Sequence, residues 1–179
     1  MRDANLIVIR HQHQGDTVIE NLLNYMVGSY FADDTEILTN NVRKDTFEHM
    51  IEDIYRVQDN LDMNNHRRMF HMVLSTRPSK ISQTVLENGA YTLLKYFNSI
   101  GHQAVFVPHY GSAKNMYNFH YHVAVNPICY IDNTRMIDKF ETYNAITDYL
   151  NQNTINCWGW KFHNNKPHSD IDGWCDGSI

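Results

Sequence analysis

The sequence predicts an α+β fold: a central, mostly antiparallel sheet of about five strands with helices packed on its faces. Three observations carry the prediction. Short runs of β-branched or alternating residues recur along the chain, separated by stretches whose apolar residues keep helical spacing. The runs at 104–108 and 119–130 lie close enough to form a hairpin, which joins antiparallel strands. Strands and helices are intermixed with no internal repeat, low-complexity tract or linker, so the 179 residues read as one domain over 1–179.

Residues 5–10, Asn-Leu-Ile-Val-Ile-Arg, form a β-branched run expected to be a buried strand. Gly15-Asp16 breaks it, and Asp16 is placed to cap the next helix. That helix, 17–27, carries Val18, Leu22, Tyr25 and Met26 at helical spacing, with Ile19 and Leu23 alongside, and Gly28 ends it. Residues 33–39 are polar and read as loop. Phe47, Met50, Ile51, Ile54 and Val57 mark a second helix over 44–58, followed by an Asn-rich, charged loop at 59–68. Met69-Phe-His-Met-Val-Leu-Ser75 reads as a strand that Pro78 stops. A long helix spans 82–100 and ends at Gly101. The strand at 104–108 comes next, and 111–118 makes the turn after it. Over 119–130, His120, His122, Ala124 and Asn126 alternate with Tyr121, Val123 and Val125, which is the period of a strand. Residues 135–150 form a last helix, 154–162 a final edge strand, and 164–179 an irregular tail.

Apolar residues make up 42% of the chain and charged residues 20%, ordinary proportions for a globular protein. No window approaches the roughly 20 apolar residues that span a bilayer, and the N-terminus lacks the pattern of a secretory signal. The expected location is therefore the cytoplasm, with no membrane partner. Cys129, Cys157 and Cys175 are an odd set without tight spacing, which argues against a disulfide framework or a CxxC zinc site. A net charge of −5 argues against a non-specific nucleic-acid coat, although a local basic groove can coexist with an acidic remainder.

Histidine is the richest signal, with eleven in the chain. On a strand, His120 and His122 project to one face with Cβ atoms about 7 Å apart. Two imidazoles so placed can converge on one ion at roughly 2.0–2.2 Å from each nitrogen. If the two hairpin strands pair, His109 lies near the same face and completes the set. Three neutral nitrogens leave open positions on a metal, which a catalytic site needs and a structural site does not. Arg77, Lys80 and Lys114 lie near these segments, as do Arg67 and Arg68, and are candidates for phosphate contact. Tyr110, Tyr117 and Phe119 are candidates for stacking on unpaired bases. His11 and His13 form a second HxH pair, and the tail carries His163, His168, Asp170, Asp172 and Asp176.

Phe119-His-Tyr-His-Val-Ala-Val-Asn126 resembles the HxHxxxN motif of plasmid mobilisation relaxases, which are HUH endonucleases of the MobA/VirD type. Val105-Phe-Val-Pro-His109 is similar to the strand that delivers their third histidine. Phe70-His-Met-Val-Leu-Ser-Thr76 resembles their second motif, a strand ending in a serine that touches DNA. Val18-Ile-Glu-Asn-Leu-Leu-Asn-Tyr25-Met resembles their first, a helix carrying the nucleophilic tyrosine. The motifs stand in the family's order over roughly residues 5 to 150. The resemblance implies site- and strand-specific nicking of single-stranded DNA at an origin of transfer, with rejoining. It implies Tyr25 as nucleophile with Tyr30 in reserve, His109, His120 and His122 on a divalent metal (Mn or Mg), and Ser75 and Asn126 in support. Accessory relaxosome proteins are implied partners. The sequence departs from the family after the first histidine: Tyr110-Gly111-Ser112 stands where an aspartate is frequent, so the outer nitrogens of the histidines have no assigned partner.

Three other readings share some of these residues. A rolling-circle replication initiator has the same histidines but draws its tyrosine from a later helix, where Tyr143 and Tyr149 stand. A cupin-like metal enzyme acting on a small molecule also uses HxH on a strand, but is nearly all strand. A non-cleaving remnant would bind DNA or a partner without cutting.

Overall fold

The computed structural model describes residues 2–9, 17–28, 37–59, 61–63, 66–77, 79, 81–110, 119–154 and 158–165. In chain order the elements are β1 (Arg2–Ile9), α1 (Val18–Val27), β2 (Leu38–Asn40), α2 (Phe47–Gln58), β3 (Phe70–Thr76), α3 (Ser82–Ser99), β4 (His102–His109), β5 (His120–Cys129), α4 (Phe140–Asn153) and β6 (Trp158–Asn165). The six strands form one sheet in the order β2-β4-β5-β3-β1-β6. Every neighbouring pair is antiparallel except β1 and β6, which run parallel with Leu6 opposite Phe162.

The two faces of the sheet follow from the period of two. Phe70, Met72 and Leu74 of β3 and Tyr121, Val123 and Val125 of β5 bury one face against Leu86, Leu93 and Phe97 of α3 and Tyr143, Ile146 and Leu150 of α4. Val105, Val107 and Ala124 bury the other against Ile19, Leu22, Leu23 and Met26 of α1 and Met50 and Ile54 of α2. The expected layers are therefore present, with one strand more than expected. No helix among the described residues is long and apolar enough to cross a membrane.

Several boundaries differ from the sequence reading, and four of the differences have a clear tertiary or capping reason. Residues 38–40, the first two of them read as loop, pair with β4 (Leu38 opposite Phe106), and Asn40 Nδ2 donates to the His102 carbonyl at 2.7 Å. A strand this short has no period of its own to detect. α2 starts three residues later than expected because Thr46 caps it, accepting from His49 N–H at 3.1 Å. The last helix begins at Phe140 instead of 135: Arg135 bridges back to Ile128, and Met136 N–H donates to the Pro127 carbonyl. β6 runs to Asn165, past the expected start of an irregular tail, because β1 supplies partners as far as Ile9. Gly101, with φ of +72°, terminates α3 as expected. Asp16, Pro78 and the turn at 111–118 lie outside the described residues, as do 166–179.

Candidate active site

β4 and β5 pair so that His109 stands directly opposite His120, with Val107 opposite His122. The alternation that sends Tyr121 and Val123 to the α3–α4 side sends all three histidines to the α1–α2 side. One ring nitrogen from each lies within 4.8 Å of the others. Nε2 of His120 and Nε2 of His122 are 3.1 Å apart. Two imidazoles bound to one ion at about 2.1 Å, at an angle of roughly 95°, would be separated by that distance, so the donors fit a shared metal.

Main-chain and side-chain neighbours face the outer nitrogens of His109 and His122. His109 Nε2 donates to the main-chain carbonyl of Met26 at 2.9 Å, which leaves Nδ1 with its lone pair for the shared point. His122 turns Nδ1 toward His71 Nε2 at 2.9 Å and Nε2 toward His120. Burial drives the pKa of His122 well below the ordinary histidine value, and His71, His120 and His109 push it the same way. Burial also lowers His109, against a smaller opposing effect of the Met26 carbonyl. Both rings are thus held neutral, the form in which imidazole binds a metal.

Tyr25 sits on the rim of this cluster. Val18, Ile19, Leu22, Leu23, Met26 and Val27 bury α1 against the sheet, whereas Tyr25 remains 46% exposed. Its ring centroid is 5.2 Å from that of His122, 6.0 Å from His71 and 6.4 Å from His109. Tyr143 and Tyr149 lie on α4, across the sheet. Tyr143 is fully buried, its hydroxyl donates to Asp138 at 2.6 Å, and its ring stacks on Phe162. Tyr149 packs on Tyr96.

Ser75 stands next to the end of β3, one residue past the Leu74–Tyr121 pair and on the same face as His71, and its buried hydroxyl has no hydrogen-bond partner among the described residues. Arg77 follows β3 and is exposed. Asn126 shares the histidine face, but its amide is engaged elsewhere, with Gln58, Gln103, Ile54 and Ile128. Tyr110 is exposed and rests against Phe119, ring centroids 5.0 Å apart. Tyr30, Lys80, Lys114, Tyr117, His11 and His13 lie outside the described residues. The sequence reading assigned no role to His71. Its place in the cluster was detectable only as a histidine an even number of residues before Ser75, which puts both on one face of a strand.

A family model described as relaxase, MobA/VirD2-like, nuclease domain matches residues 25–156. The chain belongs to this relaxase family. The matched stretch opens at Tyr25 and contains β3, β4, β5 and the whole histidine cluster. No curated protein and no solved structure matches the chain. Membership makes the relaxase domain a DNA-nicking enzyme, of a family that generally works with a divalent metal. The histidine triad offers a donor set for such an ion.

Proposed function

We propose that this relaxase domain cuts one specific strand of DNA at an origin of transfer by tyrosine transesterification and can reseal it. Tyr25 is the nucleophile, and His109, His120 and His122 hold a divalent ion, Mn or Mg. The observation that carries the reading is the approach of the Tyr25 ring to within 5.2 Å of a triad ring while it remains open to solvent.

A phenol has a pKa near 10 and is a weak nucleophile at neutral pH, so the scissile phosphate must be made receptive. A divalent ion at the triad would neutralise non-bridging phosphate oxygens and open the phosphorus to attack. Tyr25 then forms an Oη–P bond as the P–O3′ bond breaks, and the phenolic proton ends on the departing 3′ oxygen. The product is a 5′-phosphotyrosine and a 3′ hydroxyl. One phosphodiester has replaced another, so the reverse reaction restores the strand. Ser75 and Arg77 are placed to position that strand, with Lys80 and Lys114 as further phosphate contacts. Asn126 supports the site by holding β5 in register with α2. Accessory relaxosome proteins would select the origin.

Mass spectrometry after incubation with random single-stranded oligonucleotides and Mn²⁺ tests this. A DNA adduct on Tyr25, lost in Tyr25→Phe with oligonucleotide binding retained, is the expected result. An adduct that persists in the variant moves the nucleophile to the tyrosine that carries it, Tyr30 on the relaxase reading or Tyr143 or Tyr149 on the replication-initiator reading. Absence of any adduct in the parent protein supports a binding remnant.

A further inference from the structure

His71 is 1% exposed and lies between α1 and the sheet, where an unpaired polar ring would be costly. Its Nε2 is 2.9 Å from His122 Nδ1. The two rings are diagonal neighbours across the β3–β5 ladder, in which Val73 pairs with His122 and His71 with Ala124. The ring planes are tilted by 32°, with centroids 5.2 Å apart. His122 is thus gripped at both nitrogens: one faces His71, the other faces His120 and the shared point. His109 is steered in a similar way by the Met26 carbonyl.

We propose that His71 is a positioning residue of the metal centre: its Nε2 accepts the Nδ1–H of His122 and so holds His122 in the tautomer that turns the Nε2 lone pair toward the ion. The inference rests on the metal reading above. A ligating imidazole usually donates its outer N–H to a carboxylate or a carbonyl, which fixes its orientation and makes it a better donor. Here the aspartate frequent after the first histidine is replaced by Tyr110-Gly111-Ser112. A neutral imidazole takes the role for His122. It can accept one hydrogen bond at the required place without adding a buried negative charge beside three crowded rings.

Two substitutions separate the acceptor from the volume. His71→Phe keeps a ring in the cavity and removes the acceptor. His71→Gln returns a side-chain oxygen near the position of Nε2. Binding of Mn²⁺ alone is measured by titration calorimetry, together with the melting temperature of each protein without metal. The phenylalanine variant should bind Mn²⁺ about 10–100-fold more weakly. The glutamine variant should recover most of that loss, and melting temperature should not track affinity. Equal Mn²⁺ affinity in parent and His71→Phe overturns the role of His71. So does equal weakening in both variants, because it assigns the effect to packing. A parent that takes up no Mn²⁺, unchanged by His120→Ala, instead removes the metal reading beneath it. If His71→Phe does not fold, nitrogen-15 spectra of the zinc-loaded parent decide. A protonated His122 Nδ1 with scalar coupling to His71 Nε2 supports the assignment, and an unprotonated Nδ1 overturns it.

Discussion

Asn126 uses both ends of its amide. Its Oδ1 accepts from Gln58 Nε2 at 3.0 Å and from Ile128 N–H at 3.1 Å, and its Nδ2 donates to Gln103 Oε1 at 2.8 Å and to the Ile54 carbonyl at 3.3 Å. Gln103 continues to the Asn41 and Asp53 carbonyls, and Gln58 to the Arg68 carbonyl. One fully buried side chain therefore ties α2 to β4 and β5. The neighbouring Asp53 carboxylate is also buried. Burial opposes its ionisation, but hydrogen bonds from Arg43 and the charges of Arg43 and Arg56 outweigh it and leave the pKa lowered. Asn126→Ala would strand amide groups on Gln58 and Gln103 out of water, a loss of about 2–4 kcal/mol. Urea denaturation measures it, and a loss below about 1 kcal/mol would show that the network relaxes around the gap.

Helices are held to the sheet by contacts of very different tightness. Gly89, in the middle of α3, faces the Trp160 ring of β6 so closely that a Cβ would fall 2.5 Å from Cζ2. A glycine inside a helix costs up to about 1 kcal/mol relative to alanine, so Gly89→Ala would stabilise an isolated helix. Here the overlap dominates, and the variant should lose about 1–3 kcal/mol net, read from its denaturation midpoint. A raised midpoint would mean that Trp160 swings aside freely. This contact also shows where pattern reading stops. The helix over 82–100 was legible from periodicity, and its end from Gly101. The need for glycine at 89 depends on a partner 71 residues away. β2 was illegible for the same reason: Leu38, Thr39 and Asn40 become a strand only because the edge of β4 is there to receive them.

The whole molecule should respond to pH through its buried histidines. Burial is the leading cause that lowers the pKa values of His102, His109 and His122. In the unfolded chain these rings take up protons near pH 6.5, while in the fold they resist until lower pH. The unfolded state therefore binds more protons below about 6.5. Stability is complete above that pH and falls as the solution is acidified through it. Carboxylates with lowered pKa values, such as Asp53 and Asp132, add their loss only further down, below about 4. The metal-free protein should thus show a lower urea midpoint at pH 5.5 than at pH 7.5, and equal midpoints would contradict the buried, neutral state of the rings. At this scale the site was half legible. HxH spacing on a strand and a nearby histidine on its hairpin partner were enough to group 109, 120 and 122. The place of His71 was not, because it depends on the register between β3 and β5, strands whose contacting residues are 51 apart in the chain.

The bond from His109 to Met26 has a bearing on how variants should be interpreted. Met26 lies in the last turn of α1, where carbonyls have no acceptor-seeking N–H from a following turn and must be satisfied from outside. In the proposed site, the ring that would be offered to the ion is therefore also the stopper of the helix that carries Tyr25. On the proposed reading, removing His109 would take away a ligand and also the hydrogen bond to the last turn of α1, whereas removing His120 would take away a ligand and leave that bond in place. The excess defect of the first over the second measures how much of the enzyme's competence resides in a fastened helix end.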